Sequence, residues 1–232
     1  TGLTLGQTYE LYVRTDCDVD GFSTWTGPVN YLHDYCVAGA VNGNINNDAQ
    51  LLNVTGAGIN AGSPAGTQIP YVNLTANVGN MAPGGSYPFS FTRNVNYNNS
   101  EFRVWIDWND DIDFNDPGEA VHVASIPVAN PHNATIICPP GTTPGNKRMR
   151  VRWQYVDGVN GFLANNTPCG NSTFGQVVDF TINVCAPMAA TTSVTDNCAG
   201  DGSFSVGVNV TDLGSGPNPR ISYNVNGGGT QY

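Results

Sequence analysis

Lysine occurs once in this chain, at position 147, and the 232 residues hold only 8 Lys+Arg against 18 Asp+Glu. A net charge of −10 offers no basic face to phosphates, so nucleic acid is not an expected partner. Charged residues make up 11% and hydrophobic ones 40%, a balance that folds rather than one that stays solvated. No apolar run approaches the roughly 18 residues that span a bilayer, so membrane insertion is not expected. The first residues lack the pattern of a signal peptide, so any targeting signal is expected outside this segment. Histidine appears three times and Cys-x-x-Cys never, which argues against structural zinc. Gly-x-Ser-x-Gly, His-Glu-x-x-His and phosphate-loop motifs are missing, and His33-Asp34 has no nucleophile to serve. The chain is therefore not expected to be an enzyme.

Glycine (28) and proline (15) are abundant, and helical periodicity is nearly absent. Alternation with period two recurs instead. Met149, Val151, Trp153 and Tyr155 alternate with Arg150, Arg152 and Gln154, while Val178, Phe180, Ile182 and Val184 alternate with Val177, Asp179, Thr181 and Asn183. Such segments read as half-buried antiparallel strands joined by turns like "PPGTTPGN". The predicted fold class is all-β, with antiparallel β-sandwich modules of jelly-roll or immunoglobulin-like type in tandem. Six cysteines, at 17, 36, 138, 169, 185 and 198, point to disulfides in an oxidising compartment, with the pairing left open.

The densest chemistry lies in "DWNDDIDFNDPGE", residues 107–119. With Asp107 as the first position, oxygen-bearing side chains fall at the first, third, fifth and seventh: Asp107, Asn109, Asp111 and Asp113. Glu119 follows as a closing, bidentate carboxylate. This alternation suits a tight loop around Ca²⁺, which takes about 6–8 oxygens at about 2.3–2.6 Å. Two other readings compete. The acids could simply cap turns and face water, at the cost of mutual repulsion. Or two of them could act as catalytic acid and base, which requires a cleft that nothing in the sequence provides.

Two further features invite function. "KRMRVR" holds Lys147, Arg148, Arg150 and Arg152, half of all basic residues, with three arginines on one strand face. It is either a strip for acidic glycans and partner carboxylates or a ladder neutralised by neighbours such as Asp179 or the acidic loop. Among the aromatics, which include Tyr97, Trp153 and Tyr155 fall on the core parity, whereas Trp105 and Trp108 are either an exposed sugar-stacking platform or ordinary packing residues. His122, in "AVHVAS", is expected to point outward.

"FRVWIDWNDDIDFNDPGE", "PPGTTPGNKRMRVRWQY" and "TPCGNSTFGQVVDFTINV" stand in the order and spacing of a GEVED domain, which residues 34–185 resemble. That family is found in large secreted bacterial proteins of the type IX route, often beside fibronectin type III and immunoglobulin-like modules. The family's loop usually carries glycine at the sixth position, where this chain has Ile112, and a β-branched residue there predicts a reshaped or weaker loop. The eponymous motif reads Gly175-Gln176-Val177-Val178-Asp179, with both glutamates replaced. Residues 1–33 resemble the last part of a fibronectin type III domain, with Leu3 and Tyr9 placed like its tyrosine corner. Residues 186–232 resemble the opening strands of an immunoglobulin-like module. Both end sandwiches are thus expected to be incomplete, a window on a longer tandem array.

The resemblance implies a non-catalytic structural or adhesive module, secreted or on the cell surface, with Ca²⁺ as the expected cofactor. Expected partners are surface or matrix glycans or proteins, and neighbouring modules or other subunits through strand pairing. The alternative is a carbohydrate-binding accessory region of a secreted hydrolase or protease.

Overall fold

The structure, a computed structural model, describes residues 2–41, 50–64, 69–94, 100–124, 129–155, 167–196, 200, 204–212 and 214. Tyr97, Cys198 and the last eighteen residues of the immunoglobulin-like segment lie outside these. The described residues are all-β apart from one 3₁₀ turn at Asp18–Asp20. Backbone contacts divide the chain into Thr1–Val37 and Ala38–Tyr232.

The first unit is a hairpin of β1 (Gln7–Val13) and β2 (Thr26–His33), with Tyr9 opposite Tyr31 and Leu11 opposite Val29. The Tyr9 hydroxyl accepts the amide of Thr4 at 2.6 Å, the hydrogen bond of a tyrosine corner. Arg14 lies 3.8 Å over the Phe22 ring, which covers a guanidinium that has no carboxylate beside it in the hairpin.

The second unit contains β3 (Ala38–Ala40), β4 (Leu51–Gly56), β5 (Ile59–Ala61), β6 (Tyr71–Met81), β7 (Ser86–Arg93), β8 (Ser100–Ile106), β9 (Ala120–Ala124) and β10 (His132–Ile137). It continues with β11 (Gly145–Tyr155), β12 (Gly170–Ser172), β13 (Gly175–Val184), β14 (Ala189–Asp196) and β15 (Phe204–Asp212). A four-stranded sheet, β10-β7-β4-β5, faces a five-stranded one, β6-β13-β11-β8-β9. Val54, Phe89, Phe91 and Ile136 from the first interdigitate with Phe102, Val104, Met149, Val151, Trp153, Phe180 and Ile182 from the second. Met149, Val151, Trp153, Phe180 and Ile182 are inward residues the alternation predicted, and burial of the whole set supplies the main drive to fold. β14 and β15 form a separate antiparallel pair with exposed side chains such as Val194 and Val206.

Not every pair is antiparallel. β6 runs parallel to β13, and β3 to β12. The chain between β6 and β13 passes through both sheets, which provides the long crossover that parallel neighbours need. The turn from β6 to β7 carries the chain from one sheet to the other, and here Tyr87 repeats the device of the hairpin: its hydroxyl accepts the amide of Ala82 at 2.7 Å. Gly6 and Gly84, with φ of 77° and 76°, bend the chain between each tyrosine and its amide.

Along β11 and β13 the five-stranded sheet is not half-buried but buried on both faces. Arg150 and Arg152 are each only 2% exposed, and Asp179 neutralises Arg150 as the ladder alternative had it. Asp179 sits opposite Arg150 in the register and accepts from its Nε (2.8 Å) and Nη2 (2.9 Å), from Arg148 Nη1 (3.1 Å) and from the Tyr71 hydroxyl (3.0 Å). Burial, then the Asp179 charge, push Tyr71 up to about 12. Phe114 lies over the Arg150 guanidinium at 5.0 Å, and the carbonyls of Pro168, Cys169 and Gly170 accept from Arg150 and Arg152. Burial, with the charge of Arg150 beside it, lowers Arg152 to about 10. Cys36 and Cys169 are disulfide-bonded. Disulfide bonding is the expectation from the cysteine content, and among the other described cysteines Cys17, Cys138 and Cys185 are free.

His122 points inward, contrary to the sequence reading. It pairs with Val104, leaving Val123 exposed, and its Nε2 meets His132 Nε2 at 2.9 Å. β9 and β10 are edge strands of opposite sheets, so this contact joins the two edges. Burial holds both imidazoles below their ordinary value, and His132 is lowered further by His122 and Arg93.

Two outcomes follow from these buried charges. Asp179→Asn should cost about 3–5 kcal/mol in urea denaturation, because the Arg150 guanidinium stays buried without its carboxylate; a loss under about 1 kcal/mol would contradict that role. The depressed histidines mean that the unfolded chain binds more protons than the folded one as pH falls through about 6.5, so this contribution to stability is lost there. Between about pH 7.5 and about pH 5.5 the wild type should lose more stability than a His122→Leu/His132→Leu variant. Parallel pH profiles of the two proteins would refute the pairing.

Candidate metal centre

The acidic loop begins where β8 ends. The Asp107 amide donates to the Arg148 carbonyl (3.1 Å), which ties the loop entry to β11. At the exit, the Ile106 amide donates to the Glu119 carbonyl (2.9 Å), so the loop closes on its own base. The Asp107 side chain is fully buried, and the loop's backbone wraps it. Oδ1 accepts from the Asp110 amide (2.7 Å) and Oδ2 from the Ile112 amide (3.0 Å).

Beyond it runs a staircase of aspartate and asparagine turns. Asn109 Oδ1 accepts the Asp111 amide (3.2 Å), Asp111 Oδ1 the Asp113 amide (3.2 Å), and Asp113 Oδ1 the Asn115 amide (2.7 Å). Glu119, also buried, accepts from Trp108 N at Oε1 (3.1 Å) and from Asp116 N at Oε2 (3.2 Å).

The result is convergence. Asp107, Asp111 and Glu119 each offer an oxygen, all within 4.8 Å of one another. Oxygens bound to one Ca²⁺ can lie no farther apart than twice the bond length, about 4.6–5.2 Å, so the three residues fit a single calcium ion. Burial, with Asp107 and Asp111 adding like charge, pushes Glu119 up to about 7 against the opposing amides of Asp116 and Trp108. A carboxyl that resists ionisation among other acids is one whose charge a cation would stabilise.

The other expected ligands sit differently. Asn109 Nδ2 donates to Asp111 Oδ2 (3.1 Å) and Asp116 Oδ2 (2.6 Å), bridging two carboxylates. Asp113 is spent on the Asn115 amide and does not join the converging set. Sequence reasoning missed Asp116 and Asp110. Asp116 could have been found from the Asp-Pro-Gly-Glu turn that returns the chain to Glu119, whose amide donates to the Asp116 carbonyl (3.1 Å). Asp110 pairs with Lys147, which no spacing rule predicts.

The structure also places the other residues that the sequence singled out. Ile112 takes the left-handed conformation itself, φ 73°, with its amide held by Asp107 Oδ2. Gln176 and Val178 do not bear on the loop. Gln176 bonds Leu51 N, Ser63 Oγ and the Ile69 carbonyl, and Val178 lies in the hydrophobic core. Trp105 and Trp108 form no exposed platform, being 2% and 8% exposed. A groove of about 480 Å³ on the four-stranded sheet is lined by residues including Thr55, Pro88, Ser90, Asn133 and Thr135, none of them ionisable.

A family model for the GEVED domain matches residues 101–183, from β8 through the loop to β13. No curated protein matches the chain.

The left-handed Ile112 gives a direct test. A β-branched side chain in that conformation costs on the order of 1–2 kcal/mol, part of which glycine returns as unfolded-chain entropy. Ile112→Gly should therefore stabilise the protein by about 1 kcal/mol in chemical denaturation, and a clear loss of stability would show that the loop does not need this conformation.

Proposed function

We propose that the chain is a non-catalytic extracellular module, structural or adhesive, of a large secreted or cell-surface bacterial protein, and that calcium in the 107–119 loop stabilises it. The observation that carries the reading is the approach of Asp107, Asp111 and Glu119 to within one ion's reach, with two of the three carboxylates buried. The match of residues 101–183 to an extracellular type of domain supports the setting. The disulfide-bonded Cys36 and Cys169 support an oxidising compartment.

The modular reading belongs to the same proposal. The Tyr9 corner supports a fibronectin type III-like first segment, and the β14–β15 hairpin supports an immunoglobulin-like last one. Export by the type IX route follows from the company the GEVED family keeps. Exposed Leu11, Val29 and Tyr31 on the first hairpin give it a face suited to neighbouring strands. The accessory carbohydrate-binding reading has lost its aromatic platform, since Trp108→Ala would open a cavity in the core and not erase a sugar contact.

In this reading Asp107, Asp111 and Glu119 would hold the ion, with Asn109 and Asp113 close enough in the chain to join by side-chain rotation. The ion's contribution is linkage: a native state that binds Ca²⁺ gains about 2.7 kcal/mol at a hundredfold excess over Kd. Thermal melting in EDTA and in Ca²⁺ tests it. The wild type should melt several degrees higher with calcium, and Asp111→Asn should lose that increment. Superimposable curves for the wild type with and without calcium would sink the proposal.

A further inference from the structure

Lys147 is the chain's sole lysine, and its side chain has no exposed surface. It shares its strand face with Met149 and Val151, so its stem runs along the core and its ammonium ends at the edge of the sandwich. A buried ammonium requires a counter-charge and further acceptors. Lys147 has both: Nζ contacts Asp110 Oδ2 and donates to Thr143 Oγ1 at 3.1 Å.

Asp110 is the fourth residue of the acidic loop, and its oxygens are not among those that converge. Its amide, however, donates to Asp107 Oδ1, and its own φ is 63°. The ion pair thus fixes the residue whose backbone holds the deepest carboxylate of the candidate centre. It also draws one of the loop's carboxylates toward β11 and away from the others.

We infer that Lys147 is a resident counter-cation of this loop. It neutralises Asp110 permanently, orders the loop before any metal arrives, and by its positive charge limits the affinity for a divalent cation. The inference rests on the calcium reading of the loop for its last clause only. The first two concern the ion pair itself. A free loop carrying every one of its acids would bind calcium more tightly but would be poorly ordered without it. A loop with its own ammonium is held in shape either way.

The test uses the whole chain with Lys147→Met, Asp110→Asn and the double substitution, melted in EDTA and titrated with calcium by calorimetry. In EDTA, Asp110→Asn should be the least stable, because it strands the buried ammonium. Lys147→Met should lose less, and the double variant should recover part of the loss of Asp110→Asn. With calcium, Lys147→Met should bind roughly tenfold more tightly than wild type, the scale of one like-charge interaction in a partly solvated site. Strictly additive melting shifts in EDTA would overturn the ion-pair role. Unchanged or weaker calcium binding in Lys147→Met would overturn the control of affinity. A wild type that binds no calcium would instead defeat the calcium reading, and the EDTA cycle would still decide the role of the ion pair.

Discussion

The bidentate contact between Arg150 and Asp179 is the interaction on which the domain is organised. One carboxylate at the centre of the five-stranded sheet gathers two arginines of β11 and the tyrosine hydroxyl of β6, so three adjacent strands share one charge centre. Because that face is neutralised, it can be covered. The aromatic ring of Phe114 then settles on Arg150, and the carbonyls before β12 close over Arg150 and Arg152. Phe114 belongs to the acidic loop. The loop's position is therefore set from its outer side by a cation in the sheet and from its inner side by Lys147, before any question of metal arises.

Much of this was legible from residues alone, and the reasons for the rest are physical. Alternation placed Met149, Val151, Trp153, Phe180 and Ile182 correctly because side-chain parity is a local property of a strand. Burial of the opposite parity was not legible, since it depends on segments distant in sequence folding over Arg150 and Arg152. His122 was misread for a related reason. Alternation in "AVHVAS" defines two faces but not which one meets the core, and the pairing with Val104 through an irregular register decides it. Parallel pairing of β6 with β13 likewise leaves no mark at either strand. The tyrosine corners show the opposite case: Met81, Gly84 and Tyr87 repeat the spacing of Leu3, Gly6 and Tyr9, so the second was as readable as the first.

In the loop, spacing identified Asp107, Asp111 and Glu119 as neighbours but gave Asn109 and Asp113 the same standing. The structure separates the acids by position: oxygens of Asp107, Asp111 and Glu119 converge, and those of Asp113 do not. Asp113 caps an amide, and Asn109 uses its NH₂ to bridge acids, a neutral substitute for the role a cation would take. Ile112 shows that a loop closed by several side-chain-to-backbone bonds can impose a conformation that its sequence disfavours.

Placing cations out of solvent's reach has a consequence for the chain's resistance to proteases. Of the eight basic residues, Lys147, Arg93, Arg150 and Arg152 are buried, and Arg103 and Arg148 are largely so. Among the described residues only Arg14 stands exposed. A protease that cuts after lysine or arginine needs an extended, accessible basic side chain, and the described residues present it with one. The charge arrangement that closes the sheet thereby hides most of the cleavage signals that such enzymes read.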